Sequence, residues 1–129
     1  VYTDWRMGDV VEVDGVPTGC LLVHMGLLRA IWEDSEPYTV GGIKTRRVFD
    51  TPRTSWYNPE TNTTNMSTGT SDLAWCRRVI EGDYLRKAGW TDYAGKPYPF
   101  IVDTNLFCWH IQPNGDKYPD QRTYQRFGG

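Results

Sequence analysis

The 129-residue sequence has no apolar run near the roughly 20 residues a membrane span needs. Its first residues carry no signal-peptide pattern, so neither a spanning helix nor a secretory leader is expected. No charge sign dominates: 14 basic and 16 acidic side chains give a formal net charge of −2. Binding to a phosphate backbone leans on excess lysine and arginine, so nucleic acid is not expected as the main ligand. Cysteine is scarce and odd in number, at three, which argues against a closed disulfide framework. The expectation is three reduced thiols packed as small hydrophobes. The signatures of common chemistry are also missing. There is no G-x-x-x-x-G-K-[ST] phosphate loop, no G-x-G-x-x-G after a strand, no G-x-S-x-G elbow and no C-x-x-C pair. No cofactor and no enzymatic activity are expected on these grounds.

Aromatic residues, in contrast, make up 14% of the chain, six of them tryptophan, and a disordered chain lacks such residues. Arginine outnumbers lysine ten to four. Its planar guanidinium suits protein contacts better than a strongly hydrated ammonium. The length fits one domain over residues 1–129.

Local patterns predict an α+β fold: about six antiparallel strands in a sandwich or partly closed barrel, with one helix packed across. Cys20–Met25 and Leu28–Glu33 flank Gly26-Leu27, a pair suited to a two-residue turn, and read as a hairpin with one apolar face. A second hairpin is read at Tyr98–Asp103 and Leu106–Gln112, with Phe100, Phe107 and Trp109 on a core-facing wall. Val10–Asp14 alternates as a strand, and Tyr38–Val40 and Ile43–Thr45 flank the turn pair Gly41-Gly42. The helix is placed at about 71–88, from a cap at Ser71 to a C′ glycine at Gly89. Residues 51–70, rich in Thr and Asn and poor in aliphatics, read as a long polar loop. Residues 113–129 read as a polar C-terminal arm with aromatic residues interleaved.

Candidate chemistry is sparse. His24 and His110 are the only histidines. Two histidines could divide general acid and base roles in RNA cleavage, with Lys44, Arg46 or Arg47 stabilising charge. Both fall on ordinary strand patterns, however, and structural roles are expected for them. A zinc site from Cys20, His24, Cys108 and His110 is conceivable on two facing hairpins, but the spacing is not that of known zinc motifs. Partner-binding residues are more legible. Trp56 and Tyr57, with Arg53, stand in a polar segment that has no aliphatic core to join. Tyr118, Arg122, Tyr124, Arg126 and Phe127 stand in the tail. Aromatic residues and arginine are the types enriched at protein contacts.

No motif identifies a family. In size and texture the chain resembles small phage virion assembly proteins, such as head–tail connector or minor tail components. That resemblance implies a non-enzymatic structural protein in the virion or host cytoplasm, working through protein partners and homo-oligomerisation. Two other readings compete: a phage or bacterial binding protein that neutralises a partner, and a small hydrolase or ribonuclease using His24 and His110.

Overall fold

The apolar stretch from Cys20 to Glu33 does not form the expected hairpin; its second half folds as a helix. In the computed structural model, which describes residues 4–106, 108–118 and 125, α1 spans Met25–Asp34. A nearly continuous apolar run does not reveal its own period. Here Leu27 and Ile31, one helical turn apart, become buried together, and Leu28 and Ala30 pack beside them. His24 supplies the N-cap: its Nδ1 accepts the Gly26 N–H at 3.1 Å. A Cβ on Gly26 would stand 3.0 Å from that nitrogen, so the supposed turn glycine leaves room for the cap.

The remaining described elements are β1 (Val10–Val13), β2 (Pro37–Val40), β3 (Ile43–Arg46), β4 (Arg53–Asn58), β5 (Thr63–Thr68), α2 (Ser71–Glu81), α3 (Tyr84–Lys87), β6 (Phe100–Asp103), β7 (His110–Ile111) and β8 (Lys117–Tyr118). The fold is mixed α+β with antiparallel strands, as the sequence predicts. The strands do not join into a sandwich or a closed barrel. They form four separate two-stranded ribbons among the described residues: β1–β6, β2–β3, β4–β5 and β7–β8.

Two of these ribbons correct the sequence reading. Tyr98–Asp103 does not fold back on Leu106–Gln112. Instead β6 pairs with β1, with Val13 opposite Phe100 and Val11 opposite Val102 on the inner face. Thr104 fixes this choice. Its N–H and Oγ1 both donate to the Asp9 carbonyl, and Oγ1 also reaches the Arg6 carbonyl, so the end of β6 is tied beside the start of β1. Phe100 keeps its core position, but Trp109 is 39% exposed and does not build the expected wall. Phe107 lies outside the described residues. The second correction is residues 51–70, which hold the β4–β5 hairpin rather than a loop. The Gly41-Gly42 hairpin forms as expected, both glycines having positive φ, at 56° and 81°.

The helix expected at 71–88 is present but broken. α2 stops at Gly82, where a Cβ would run into the Tyr84 ring and the Arg78 carbonyl, and Asp83 takes a left-handed φ of 52°. α3 then ends as predicted. Gly89 has φ 88°, its N–H donates to the Arg86 carbonyl, and the Trp90 N–H donates to the Leu85 carbonyl. This is the two-bond closure of a Schellman motif.

The core is small: among the described residues Val16, Leu27, Ile31, Trp75, Cys76, Val79 and Tyr84 are the buried apolar ones. Phe49 stacks on Trp75 with centroids 5.3 Å apart, and Phe100 lies 6.0 Å away on a tilt. The elements around it are tied by two arginines. Arg46 of β3 directs Nη1 at the carbonyls of Trp32, Glu33 and Ser35, at 3.3, 2.7 and 2.9 Å. Arg78 of α2 donates to the Arg47 carbonyl at 3.0 Å and to Ser35 Oγ at 2.9 Å. Ser35, buried, in turn donates from Oγ to the Ile31 carbonyl at 2.6 Å. The abundance of arginine thus serves the interior scaffold as well as the surface.

Arg78→Ala is expected to cost about 2–3 kcal/mol in a urea titration, because it leaves the buried Ser35 hydroxyl and the Arg47 and Val48 carbonyls short of a charged donor. Arg77→Ala, one residue away with an exposed side chain, should change stability by less than about 0.5 kcal/mol. A pH test addresses the link between α1 and α3, where Lys87 Nζ donates to Asp34 Oδ2 at 2.6 Å. That hydrogen bond holds the Asp34 carboxyl below its ordinary value and raises the Lys87 ammonium above its own. A depressed carboxyl contributes stability above its unfolded pKa and loses it as pH falls through the folded value. A raised ammonium contributes below its unfolded pKa and loses it as pH rises through the folded one. The stability gap between wild type and Asp34→Asn should therefore be widest near neutral pH and close below about pH 4.

Candidate protein-binding surface

The β4–β5 hairpin gathers the residues that sequence reasoning placed in a loop, and it does so by local chemistry. Pro52 and Gly69 close its base through a Gly69 N–H to Pro52 carbonyl bond of 2.9 Å. At the tip, Asn58 Oδ1 accepts the Glu60 N–H at 3.0 Å, and Asn62 adopts a left-handed φ of 52°. Both are turn roles that asparagine fills well. Tyr57 Oη donates to Asn62 Oδ1 at 2.8 Å and braces the tip from the strand. The strands themselves are rich in threonine, whose branched Cβ favours extended backbone.

The register sorts the side chains onto two faces. Trp56 stands opposite Asn65, while Tyr57 opposite Thr64, Ser55 opposite Met66 and Arg53 opposite Thr68 share the other face. Neither face is buried. Trp56 is 50% exposed and Tyr57 58%, and most of the ribbon's other residues are open to solvent as well. Both strands are edge strands, and β5 contains no charge, proline or glycine, the usual protections of an edge.

A second exposed ribbon was not singled out from the sequence as a contact surface. On β2–β3, Tyr38, Val40 and Ile43 share one face with Thr45, and all three are exposed. The signal was present in the alternation of that hairpin, since its other face carries Arg46, which turns toward α1. Arg47 lies over the Tyr38 ring at 5.1 Å and near Asp50 at 3.6 Å.

Of the other expected contact residues, Tyr118 stands on β8 opposite His110 and is 66% exposed. Arg122, Tyr124, Arg126 and Phe127 lie outside the described residues. The histidines take separate positions. His24 caps α1, meets the Trp90 ring edge-on at 5.1 Å, and lines an apolar recess of about 310 Å³ together with Leu27, Trp75 and Trp90. His110 sits on β7. Arg46, one of the suggested charge stabilisers, is engaged by helix carbonyls. The suggested Cys20, His24, Cys108, His110 zinc site is not assembled: no three potential metal ligands come together among the described residues. The cysteines also depart from expectation, with only Cys76 buried and Cys20 and Cys108 exposed. No described helix is long and apolar enough to cross a membrane.

Comparison of the chain with protein-family models, curated proteins and solved structures finds no match.

If the ribbon is a surface feature and not part of the core, Trp56→Ala should shift the unfolding free energy by less than about 1 kcal/mol. Trp75→Ala, at 2% exposure, should cost about 3–5 kcal/mol in the same urea titration.

Proposed function

We propose that this chain is a non-enzymatic assembly protein that acts through protein–protein contacts, with the β4–β5 hairpin as its principal contact arm. The observation that carries this reading is the two-sided exposure of that hairpin. An isolated two-stranded ribbon is marginally stable in water. This one is braced at base and tip but covered on neither face. Trp56 and Tyr57 leave the ribbon on opposite faces, so one flat partner surface can cover only one of them. Covering both takes a partner that clasps the ribbon, or two neighbours with the ribbon between them. The second arrangement is the one found in rings and arrays, where each subunit meets a neighbour on either side.

The narrower part of the proposal is a small phage virion component of the head–tail connector or minor tail type, located in the virion or host cytoplasm. It rests on the resemblance in size and texture together with the open faces of two separate ribbons, β4–β5 and β2–β3, which offer more than one contact surface. Homo-oligomerisation follows from the same reasoning, since repeated contacts among identical copies use every copy's arm.

The double variant Trp56→Ala, Tyr57→Ala should keep the circular dichroism and urea midpoint of the wild type while losing assembly. Light scattering after size exclusion, and incorporation of the variant into particles, are the measurements. A variant that still assembles with unchanged affinity would remove the hairpin from the proposal. A particle-free host phenotype carried by a tight complex with a foreign protein would favour the neutralising reading instead.

A further inference from the structure

The backbone groups of β5 point in two directions, and the base of the hairpin shows which points where. The Gly69 N–H donates to the Pro52 carbonyl, and these two residues continue the register that sets Arg53 opposite Thr68. Opposed residues in an antiparallel ladder alternate between bonded and non-bonded pairs. Thr54–Ser67, Trp56–Asn65 and Asn58–Thr63 are therefore the bonded pairs, and Arg53–Thr68, Ser55–Met66 and Tyr57–Thr64 are not. The N–H and C=O groups of Thr64, Met66 and Thr68 thus point away from β4, and among the described residues no other strand pairs with them.

This outward row is centred on Met66, with a threonine two residues to either side. A second copy of β5, antiparallel and with its own Met66 opposite the first, satisfies the whole row: Thr64 of each copy bonds with Thr68 of the other, and Met66 with Met66. No other antiparallel self-pairing matches all three residues. β5 carries no charge, so this pairing sets no like charges against each other along the joined edge. The outer edge of β4 is less open to such a join, because it starts at Arg53 directly after Pro52, and charge and proline both blunt an edge. The same pairing accounts for Met66, 69% exposed, whose side chain would meet its copy on the Tyr57 face. It also turns a two-stranded ribbon, marginal in water, into a four-stranded sheet. A two-fold pair closes on itself and does not propagate into a fibre.

We infer that the outer edge of β5 is a homotypic docking site whose partner is β5 of a second copy of this chain, antiparallel, with Met66 on the two-fold axis. The inference rests on the reading of β4–β5 as the contact arm, and it names the partner and the groups that bond. The joined sheet carries both copies of Trp56 on one face and both copies of Tyr57 on the other, so each face stays open to further neighbours. A standard interface takes roughly 20–30 residues a side, so a six-residue edge makes a weak pair by itself and has to be sought at high concentration.

The test is residue-resolved amide exchange on the full chain, with sedimentation equilibrium, from about 10 μM to about 1 mM. As dimer forms, exchange at Thr64, Met66 and Thr68 should slow by about tenfold or more, while Arg53, Ser55 and Tyr57 on the outer edge of β4 keep their rates. Met66→Pro removes an outward donor and no bond inside the hairpin, so it should weaken dimerisation by about tenfold or more with the Asn65 and Ser67 amides still protected. Met66→Lys keeps the donor but sets two like charges across the axis, so its dimer should weaken at low salt and recover as salt is added. The wild-type exchange pattern decides the question even if a variant fails to fold. A chain that stays monomeric over the whole range overturns the inference, as does protection that appears on the β4 edge instead. Self-association with the Thr64, Met66 and Thr68 amides unchanged also overturns it. In that case the contact-arm reading survives if the Trp56→Ala, Tyr57→Ala variant abolishes the association, and fails with it if the variant associates as before.

Discussion

The described fold depends on how the C-terminal end of α1 is neutralised. The last carbonyls of any helix lack intrahelical partners and carry the negative end of its dipole. α1 aggravates this, because Glu33 and Asp34 add two carboxylates there and no basic residue stands in its last turn. Every cation that meets this terminus comes from another element. Arg46 arrives from β3, Arg78 from α2 through Ser35, and Lys87 from α3 through Asp34. Satisfying one helix end thus positions the β2–β3 ribbon and the α2–α3 pair around it. The small apolar core fills the space these polar ties enclose. Arg78 also lies 5.7 Å from the Tyr84 ring, so the same guanidinium closes the edge of the core where α2 breaks.

What this arrangement does not recruit is left outside. β4–β5 leaves the scaffold after Phe49 and returns directly into α2, and neither strand supplies a residue to the core. β7–β8 likewise carries only exposed residues. A fold whose strands pair only two by two keeps the outer edge of every ribbon available for hydrogen bonding. Natural sheets blunt such edges with charge, proline or a covering helix. β1 carries Glu12, which lies near Lys96, and thereby has some of that protection; β5 has none.

The parts of the fold legible in the sequence were those governed by local backbone chemistry. The Gly41-Gly42 turn, the strand at Val10 and the C′ role of Gly89 each follow from a φ value or an alternation that no distant contact overrides. The α2 region was legible from its helical cap signals, while its break at Gly82 is set by the Tyr84 ring and the Arg78 carbonyl packed against that residue. The errors came where a distant contact decided. Cys20–Glu33 satisfies a strand pairing on paper, but burial of Leu27 with Ile31 and the demands of Arg46 and Lys87 make it helical from Met25 onward. Phe100–Asp103 has a plausible neighbour in sequence, yet Thr104 bonds to Arg6 and Asp9. The β4–β5 ribbon escaped notice for a different reason: with neither face buried, its strands have no apolar alternation to display. As for the candidate site, Trp56, Tyr57 and Arg53 were identified by residue type alone, while the exposed Tyr38, Val40 and Ile43 face was hidden within a correctly placed hairpin.

Order in the ribbon changes the energetics expected of a contact arm. A disordered loop would have to lose roughly 1–2 kcal/mol of backbone entropy per residue on docking. In the β4–β5 hairpin much of that ordering has already occurred, through the ladder, the Asn58 turn and the Tyr57–Asn62 bond. Docking then has chiefly the rotamers of Trp56, Tyr57, Met66 and Arg53 left to fix. The two aromatic rings among them are the stiffest and give the most contact area per rotatable bond. On the proposed arm role, a ribbon that is marginal without a cover has its local stability and its occupancy linked by mass action. Tip residues that brace the hairpin, Asn62 above all, would then bear on binding without touching a partner, because they set how much of the ordering is complete before contact.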